Sequence, residues 1–411
     1  MRSVLMHSIV ALCLFAVLQE VALRLVFPVP EIVNFDRLHY SPKAFATRDI
    51  HEANLAHASF VWKSGPDGVS FRHDLNLNGF RDREWSARPA SGDTRVAFVG
   101  DSFTEGFSTD GRNTLPRVFE RLARGAGMSV EAMNFGIGGA GPKQYARLMR
   151  DAIPIFQPDD VILVLYENDA VPVEFKPAWL ANPRAPEFAN PWKPRLAHIL
   201  GERRAGRRVP RRWHAKPFSY FAAVPDHQNA WSHPEQAEKL AQIVAPDIAE
   251  HMHEGRFNPA MALFYRFVET NAPRPLDMSR YLRAVDRFIR KRGATLHLVY
   301  IPTKVQVSHT YDDYVSRYSR SNVAGDLTGP EYQIHGSDLA GTCAEIGIPF
   351  LDLGPRLREI EAGGTKLYWD YDDHFRPIGY RTAAQLILEW WREPARVPGT
   401  RRDRNAENRP R

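Results

Sequence analysis

Arg95-Val96-Ala97-Phe98-Val99-Gly100-Asp101-Ser102-Phe103-Thr104-Glu105-Gly106 is the stretch on which the reading of the fold turns. Positions 95–99 form a short apolar run rich in β-formers and closed by a glycine. A run of this kind reads as a strand buried on both faces, as in a parallel sheet. The chain must then turn at Gly100 and present a serine. In open α/β sheets, ligands bind beyond the carboxyl ends of the strands, so a serine here is placed for nucleophilic chemistry. The competing reading is that Ser102 only caps the helix that follows, because Asp and Ser are favoured N-caps. The rest of the chain must decide by supplying a base and an oxyanion site or failing to.

Outward from this stretch, strand and helix patterns alternate. Helical spacing over 114–124 puts Leu115, Val118, Phe119 and Leu122 on one face. A strand is predicted over 130–134, a Pro-started helix over 142–153 and a strongly apolar strand over 161–166. The alternation breaks at 171–280, where prolines are frequent and only 234–253 and 260–270 look helical. It resumes with a helix over 279–292 that ends in basic residues and Gly293, a strand over 294–301, a helix over 336–347, a strand over 349–353 and a last helix over 377–391. The last helix turns Ala383, Ala384, Ile387 and Trp391 inward. Such alternation builds right-handed βαβ units. The predicted fold is a three-layer α/β sandwich around a five-stranded parallel sheet of flavodoxin-like type, with 171–280 as an insertion covering one edge. An insertion of that length beside an α/β crevice suits a lid or a partner surface.

Before the sheet, 4–27 is an apolar segment, continuous from Ile9 to Leu18 and interrupted by Glu20 and Arg24. About 20 such residues span a bilayer. Arg2 precedes the segment and no small-residue cleavage site follows, so the reading is an uncleaved signal-anchor over 1–27. A cleaved signal peptide and a buried amphipathic helix are the alternatives. The positive flank favours a cytoplasmic N-terminus, with the remaining chain extracytoplasmic on the inner membrane, although Arg24 opposes this orientation. Residues 28–94 read as an irregular, turn-rich lead-in that wraps the domain, with turns at Gly65-Pro66 and Asn78-Gly79. The domain proper then runs over 95–393, and 394–411 is a polar basic tail expected to be disordered.

The 411 residues, 44% hydrophobic and 25% charged, are enough for one large α/β domain with insertions or for two average ones. The net charge of +6 is concentrated in Arg203, Arg204, Arg207, Arg208, Arg211 and Arg212, and in Arg401, Arg402, Arg404, Arg409 and Arg411. Both clusters read first as solvated segments; anionic lipid headgroups or an acidic polymer are the sharper option. No nucleic-acid motif is present. Two cysteines, Cys13 in the apolar segment and Cys343 on a core helix, imply no disulfide framework. His251 and His253, two apart on a helix, point to different faces and read as surface residues rather than metal ligands.

Four places just past strand ends carry unusual residues. They are Gly100-Asp101-Ser102; the glycine-rich Asn134-Phe135-Gly136-Ile137-Gly138-Gly139-Ala140-Gly141; Glu167-Asn168-Asp169; and Asp370-Tyr371-Asp372-Asp373-His374-Phe375-Arg376-Pro377. The glycine loop lets backbone N–H groups approach an anion. It is otherwise a tight turn, and it lacks the Lys-Ser/Thr of a nucleotide phosphate loop. Asn168-Asp169 alone is a cap or turn. A histidine beside three carboxylates is biased toward a raised pKa and a fixed tautomer. Together these provide the parts of acyl transfer: Ser102 as nucleophile, His374 as its base, an Asp to hold the imidazole, and N–H donors for the oxyanion.

Ser, Gly, Asn and His in this order resemble the four signature blocks of the SGNH/GDSL hydrolase superfamily. The resemblance covers about 95–391 apart from the insertion. It implies Ser102 as nucleophile, with an oxyanion hole of the Ser102 N–H, Gly139 (Gly136 being the second choice) and Asn168. It also implies His374 as base and no metal or organic cofactor. The chain departs from the family pattern twice. Tyr166 stands where the third block usually has glycine, and Tyr371 stands three before His374, where the usual aspartate would be. Asp372, two before, makes an Asp-x-His spacing that resembles alginate-type exopolysaccharide O-acetyltransferases. Gly79-Phe80-Arg81 and Ile301-Pro302-Thr303-Lys304 resemble membrane-anchored bacterial members. Asp372 is taken as the acid, since i and i+2 of an extended segment face the same side; Asp370 is the fallback. Asp101 and Asp169 are read as turn-stabilising. The leading reading is a serine esterase acting on an acyl, in particular acetyl, ester of a carbohydrate or small molecule. The second is an O-acyltransferase using the same residues on an extracytoplasmic polysaccharide, with an acyl-donor partner in the membrane. A third, non-catalytic polysaccharide-binding or assembly protein on a retired scaffold, is opposed by the intact Ser102, Asn168 and His374.

Overall fold

The computed structural model describes residues 2–41, 59–63, 69–90, 92–204, 209, 211–213, 218–219, 242–253, 261–319 and 326–393. The basic tail, Arg207 and Arg208, and 234–241 of the predicted 234–253 helix lie outside the described residues.

Helix α1 (Arg2–Val26) is followed by a lead-in carrying strands β1 (Ser59–Lys63) and β2 (Ser70–Asp74). β3 (Thr94–Gly100) runs into the short α2 (Ser102–Glu105), then α3 (Leu115–Gly125), β4 (Val130–Gly136), α4 (Pro142–Phe156) and β5 (Asp160–Tyr166). The insertion contributes α5 (Arg195–Arg204), β6 (Phe218–Ser219), α6 (Pro246–His253) and α7 (Met261–Asn271). The alternation ends with α8 (Ser279–Arg290), β7 (Thr295–Ile301), α9 (Lys304–Val307), α10 (Asp312–Tyr318), α11 (Ile334–Ile346), β8 (Phe350–Asp352), α12 (Gly354–Ala362) and α13 (Pro377–Arg392).

Five strands form one parallel sheet in the order β4-β3-β5-β7-β8. Counted along the chain this is 2-1-3-4-5, the flavodoxin order, with its topological switch point between β3 and β5. The strands are mostly apolar because both faces are covered. Val96 and Phe98 of β3, Ile162 and Val164 of β5 and Val299 and Ile301 of β7 enter the core shared with α3 and α13. Their alternating neighbours Ala97, Val99, Leu163, Leu165 and Leu298 enter the opposite core with α4, α8 and α11. This period-two division makes the three-layer sandwich.

Three expectations need correction. The lead-in is not wholly irregular: β1 pairs antiparallel with β2 and parallel with β6, forming a three-stranded sheet that joins the lead-in to the insertion. The insertion does more than cover an edge, since α7 drives Tyr265 into the core shared with α13 and also buries Val268. His251 is half-buried rather than on the surface, because α6 packs Ile248 inward. The helix α12 was not anticipated, its short apolar pattern being interrupted by charges. Cys343 is buried on α11 and Cys13 exposed on α1, and both are free.

Candidate active site

The site is assembled at the carboxyl ends of β3, β4 and β5 and on the segment leading into α13. After β3 the Asp101 side chain accepts the Phe103 N–H (2.9 Å) and caps α2. Capping therefore falls to Asp101, and the half-buried Ser102 Oγ is left to bond His374 Nε2 at 2.7 Å. His374 Nδ1 lies 2.5 Å from Asp372 Oδ1. A carboxylate there accepts the Nδ1–H, which leaves the Nε2 lone pair facing Ser102. The Asp372 side chain is not carried by an extended segment. Its Oδ1 also accepts the His374 backbone N–H (3.1 Å), a local turn that folds the carboxylate back onto the ring. The other oxygen, Oδ2, accepts the Ser108 hydroxyl. Asp370 is engaged elsewhere, with Lys366 (2.9 Å) and Arg376 (3.3 Å).

Burial opposes charging of His374, but the adjoining Asp372 carboxylate and the further charges of Asp101 and Asp373 outweigh it, so its pKa is raised. Phe103 and Phe107 lie against the imidazole, with ring centres 5.1 and 5.3 Å away, and screen it from water. Burial pushes Asp373 up to about 8, and it holds a hydrogen bond from the Tyr265 hydroxyl. Burial likewise raises Asp101 to about 6, against the pull of the Phe103 N–H, His374 and Asn168.

The glycine loop follows β4. Gly136 N–H is committed to Asn134 Oδ1 (3.0 Å) and Gly138 N–H to Glu105 Oε2 (2.8 Å). Gly139 is exposed and sits in the left-handed region at φ 68°, which glycine adopts without strain. The loop glycines thus divide, with Gly136 and Gly138 tied into the scaffold and Gly139 at the open side. A Cβ at Gly136 would lie 2.0 Å from the Glu105 nitrogen, so glycine here lets the β4 end and α2 meet backbone to backbone. Asn168 lies in a single turn, Glu167–Asp169, beyond β5 and hydrogen-bonds to Asp101, the neighbour of Ser102. Asp169 is buried and accepts the Tyr145 hydroxyl (2.9 Å); burial and the Asp101 charge raise its pKa well above the usual range.

Four supporting residues escaped the sequence reading. Glu105 is buried and takes a two-pronged contact from Arg37 (3.0 and 2.7 Å) besides the Gly138 N–H, tying the lead-in to the glycine loop. Arg81, in the noted Gly79-Phe80-Arg81, donates to the carbonyls of Gly106 and Thr109 behind α2. Ser108 holds Asp372 from a backbone at φ 58°, a conformation uncommon for a non-glycine residue. Lys304, in the noted Ile301–Lys304 motif, is fully buried. Its Nζ donates to the carbonyls of Trp369 (3.0 Å), Asp370 (2.9 Å) and Asp372 (3.3 Å), within the rings of Tyr265, Tyr311 and Tyr318. Burial pushes the Lys304 pKa down to about 7 despite nearby carboxylates. None of the four lies in a signature block as a reactive group; each acts across long sequence separations that only folding closes.

A 2-1-3-4-5 parallel sheet carrying a Ser–His–Asp relay at its switch point is the arrangement of an α/β serine hydrolase. Residues 96–192 match the family described as GDSL-like Lipase/Acylhydrolase, and residues 263–407 match that described as SGNH hydrolase-like domain, acetyltransferase AlgX. The chain belongs to the SGNH/GDSL hydrolase superfamily, whose chemistry is acyl-ester hydrolysis or acyl transfer. No curated protein matches it. Similar solved structures include an acetyl xylan esterase, AlAXEase, 13% identical over 73% of this chain and 100% of that one, with a TM-score of 0.37. A lipase/acylhydrolase from Enterococcus faecalis is 12% identical over 74% and 98%, with a TM-score of 0.35.

Proposed function

We propose that the chain is a membrane-anchored serine esterase that removes acyl groups, in particular acetyl, from a carbohydrate or small-molecule ester. The observation that carries this reading is the continuous contact from Asp372 through His374 to Ser102. Ser102 Oγ attacks the ester carbonyl as its proton passes to His374 Nε2, and Asp372 stabilises the imidazolium. The oxyanion is held by the Ser102 and Gly139 N–H groups and the Asn168 amide. Collapse expels the alcohol, protonated by His374, and leaves an acyl-Ser102. Water then attacks the acyl carbonyl as His374 takes its proton; the acyl–Oγ bond breaks, the acid leaves and His374 returns the proton to Ser102 Oγ.

A second reading is favoured by two observations: the Asp-x-His spacing and the match of 263–407 to an acetyltransferase-type domain. In it a polysaccharide hydroxyl replaces water in the last step, on the extracytoplasmic side. The apolar helix Val4–Val26, long enough to cross a bilayer, supports anchoring in either case.

The test is hydrolysis of p-nitrophenyl acetate by the purified protein. Ser102→Ala should lower the rate on the order of 10⁴-fold if the relay acts as a unit. Undiminished activity in that variant would overturn both readings. Faster acetyl release in the presence of an acceptor oligosaccharide, with the acetyl recovered on the sugar, selects transfer over hydrolysis.

A further inference from the structure

The insertion clasps the far end of α1. Glu20, one of the two charges that interrupt the apolar segment, accepts the Arg195 N–H at the start of α5 (3.0 and 2.8 Å) and bonds the Arg24 guanidinium (2.6 Å). Arg24 in turn donates to the Lys193 carbonyl (3.3 Å). On the other side of the α5 segment, the Arg212 N–H donates to the Val26 carbonyl (2.8 Å), and the Arg211 guanidinium lies 6.0 Å above the Phe27 ring. Glu20 and Arg24 are thus both satisfied by the insertion: Glu20 sits at the positive end of a helix and Arg24 at a carbonyl.

These contacts fix where α5 can lie. At 1.5 Å per residue, Glu20 to Val26 is only about 9 Å of helix. That is close to the depth of one headgroup layer, about 5–8 Å beyond a hydrocarbon core of about 30 Å. A segment bonded to those turns of a bilayer-spanning helix is therefore held at the lipid–water boundary. Its surface suits that position. Trp192 is 88% exposed, Trp213 67%, Leu196 44% and Leu200 45%. Leu196 and Leu200 are one turn apart on α5, and Ile199 between them in sequence is buried against the protein. Arg203, Arg204, Arg211 and Arg212 are exposed around them. Aromatic, aliphatic and arginine side chains exposed together are costly in water but match the interface of an anionic bilayer.

We propose that Trp192, α5 and the segment 211–213 form an interfacial membrane-docking element, its Trp and Leu side chains seated among the lipids at the end of α1 and its arginines on anionic headgroups. This rests on the reading of α1 as a membrane span. It gives Arg203, Arg204, Arg211 and Arg212 a partner, and it restrains the catalytic domain against the bilayer, because the Phe27-Pro28-Val29-Pro30 connection no longer serves as the sole tether.

Full-length protein carrying Cys13→Ser, with an environment-sensitive fluorophore on Leu200→Cys, Leu12→Cys or Glu345→Cys, is reconstituted in bilayers of phosphatidylcholine with about a third phosphatidylglycerol. Blue-shifted emission and iodide quenching several-fold weaker at 200 than at 345, approaching that at 12, is the expected result. Quenching at 200 equal to that at 345, with 12 protected, overturns the docking element and leaves the anchor standing. Quenching at 12 overturns the anchor and the docking together. Protection at 200 should fall in pure phosphatidylcholine and on replacing Arg203, Arg204, Arg211 and Arg212 by Glu. Indifference to both changes overturns the headgroup assignment.

Discussion

At the scale of single residues, the relay is sensitive to one carboxylate. Asp372 both orients the imidazole and favours its charged form against burial. Asp372→Asn leaves the desolvation of His374 without its opposing charge, so the His374 pKa should fall. The acidic limb of the kcat/KM profile should then move to lower pH while the plateau drops by orders of magnitude. Asp370→Asn should change neither, since Asp370 faces Lys366 and Arg376; a larger loss at Asp370 would reassign the acid. Lys304 holds the same segment by its backbone. Lys304→Met leaves three inward carbonyls without their donor, and an unsatisfied buried polar group costs about 1–3 kcal/mol. Thermal unfolding should register that loss, and kcat should fall more than KM rises because Asp372 loses its fixed position.

At the scale of elements, the nucleophile turn depends on a backbone contact. α2 meets the end of β4 at Gly136, where any side chain would overlap the Glu105 backbone. Gly136→Ala should push α2 away from the glycine loop, separating Ser102 from Gly139 and breaking the Glu105–Gly138 bond. The expected outcome is near-complete loss of esterase activity with a melting temperature several degrees lower. Gly127→Ala, in the turn before the other end of β4, is a suitable contrast: its positive φ strains the new residue, but no atom lies within 4 Å of the added Cβ, so activity should persist.

At the scale of the whole molecule, the buried acids couple fold stability to pH. Asp373 has its folded pKa raised to about 8 from 3.8. A carboxyl with a raised folded pKa binds its proton more tightly when folded, so its contribution is full below the unfolded value and is lost as pH rises toward about 8. Asp373→Asn keeps an oxygen for the Tyr265 hydroxyl and removes the titration. Between pH 5 and pH 8 its melting temperature should therefore fall less than that of the unmodified protein. An equal fall in the two would assign the pH dependence to other acids, Glu84 and Asp169 among them.

The sequence by itself determined the five strands of the sheet and its main flanking helices, and singled out four candidate site positions. Their signals are local: a continuous apolar run marks a strand buried on both faces, and Ser102, Gly139, Asn168 and His374 each follow or precede such an element by a few residues. The reach of those signals explains the misses. β1, β2 and β6 are short and take their meaning only from pairing with one another across more than a hundred residues. Only the tertiary structure decided that Asp101 caps α2 and leaves Ser102 to His374, that Asp372 rather than Asp370 meets the imidazole, and that Glu105, Ser108 and Lys304 hold the relay in place. Each of those outcomes depends on which groups share a buried volume. Within it an unpaired donor or charge is expensive, so partners are fixed by proximity in space, which local sequence pattern does not encode.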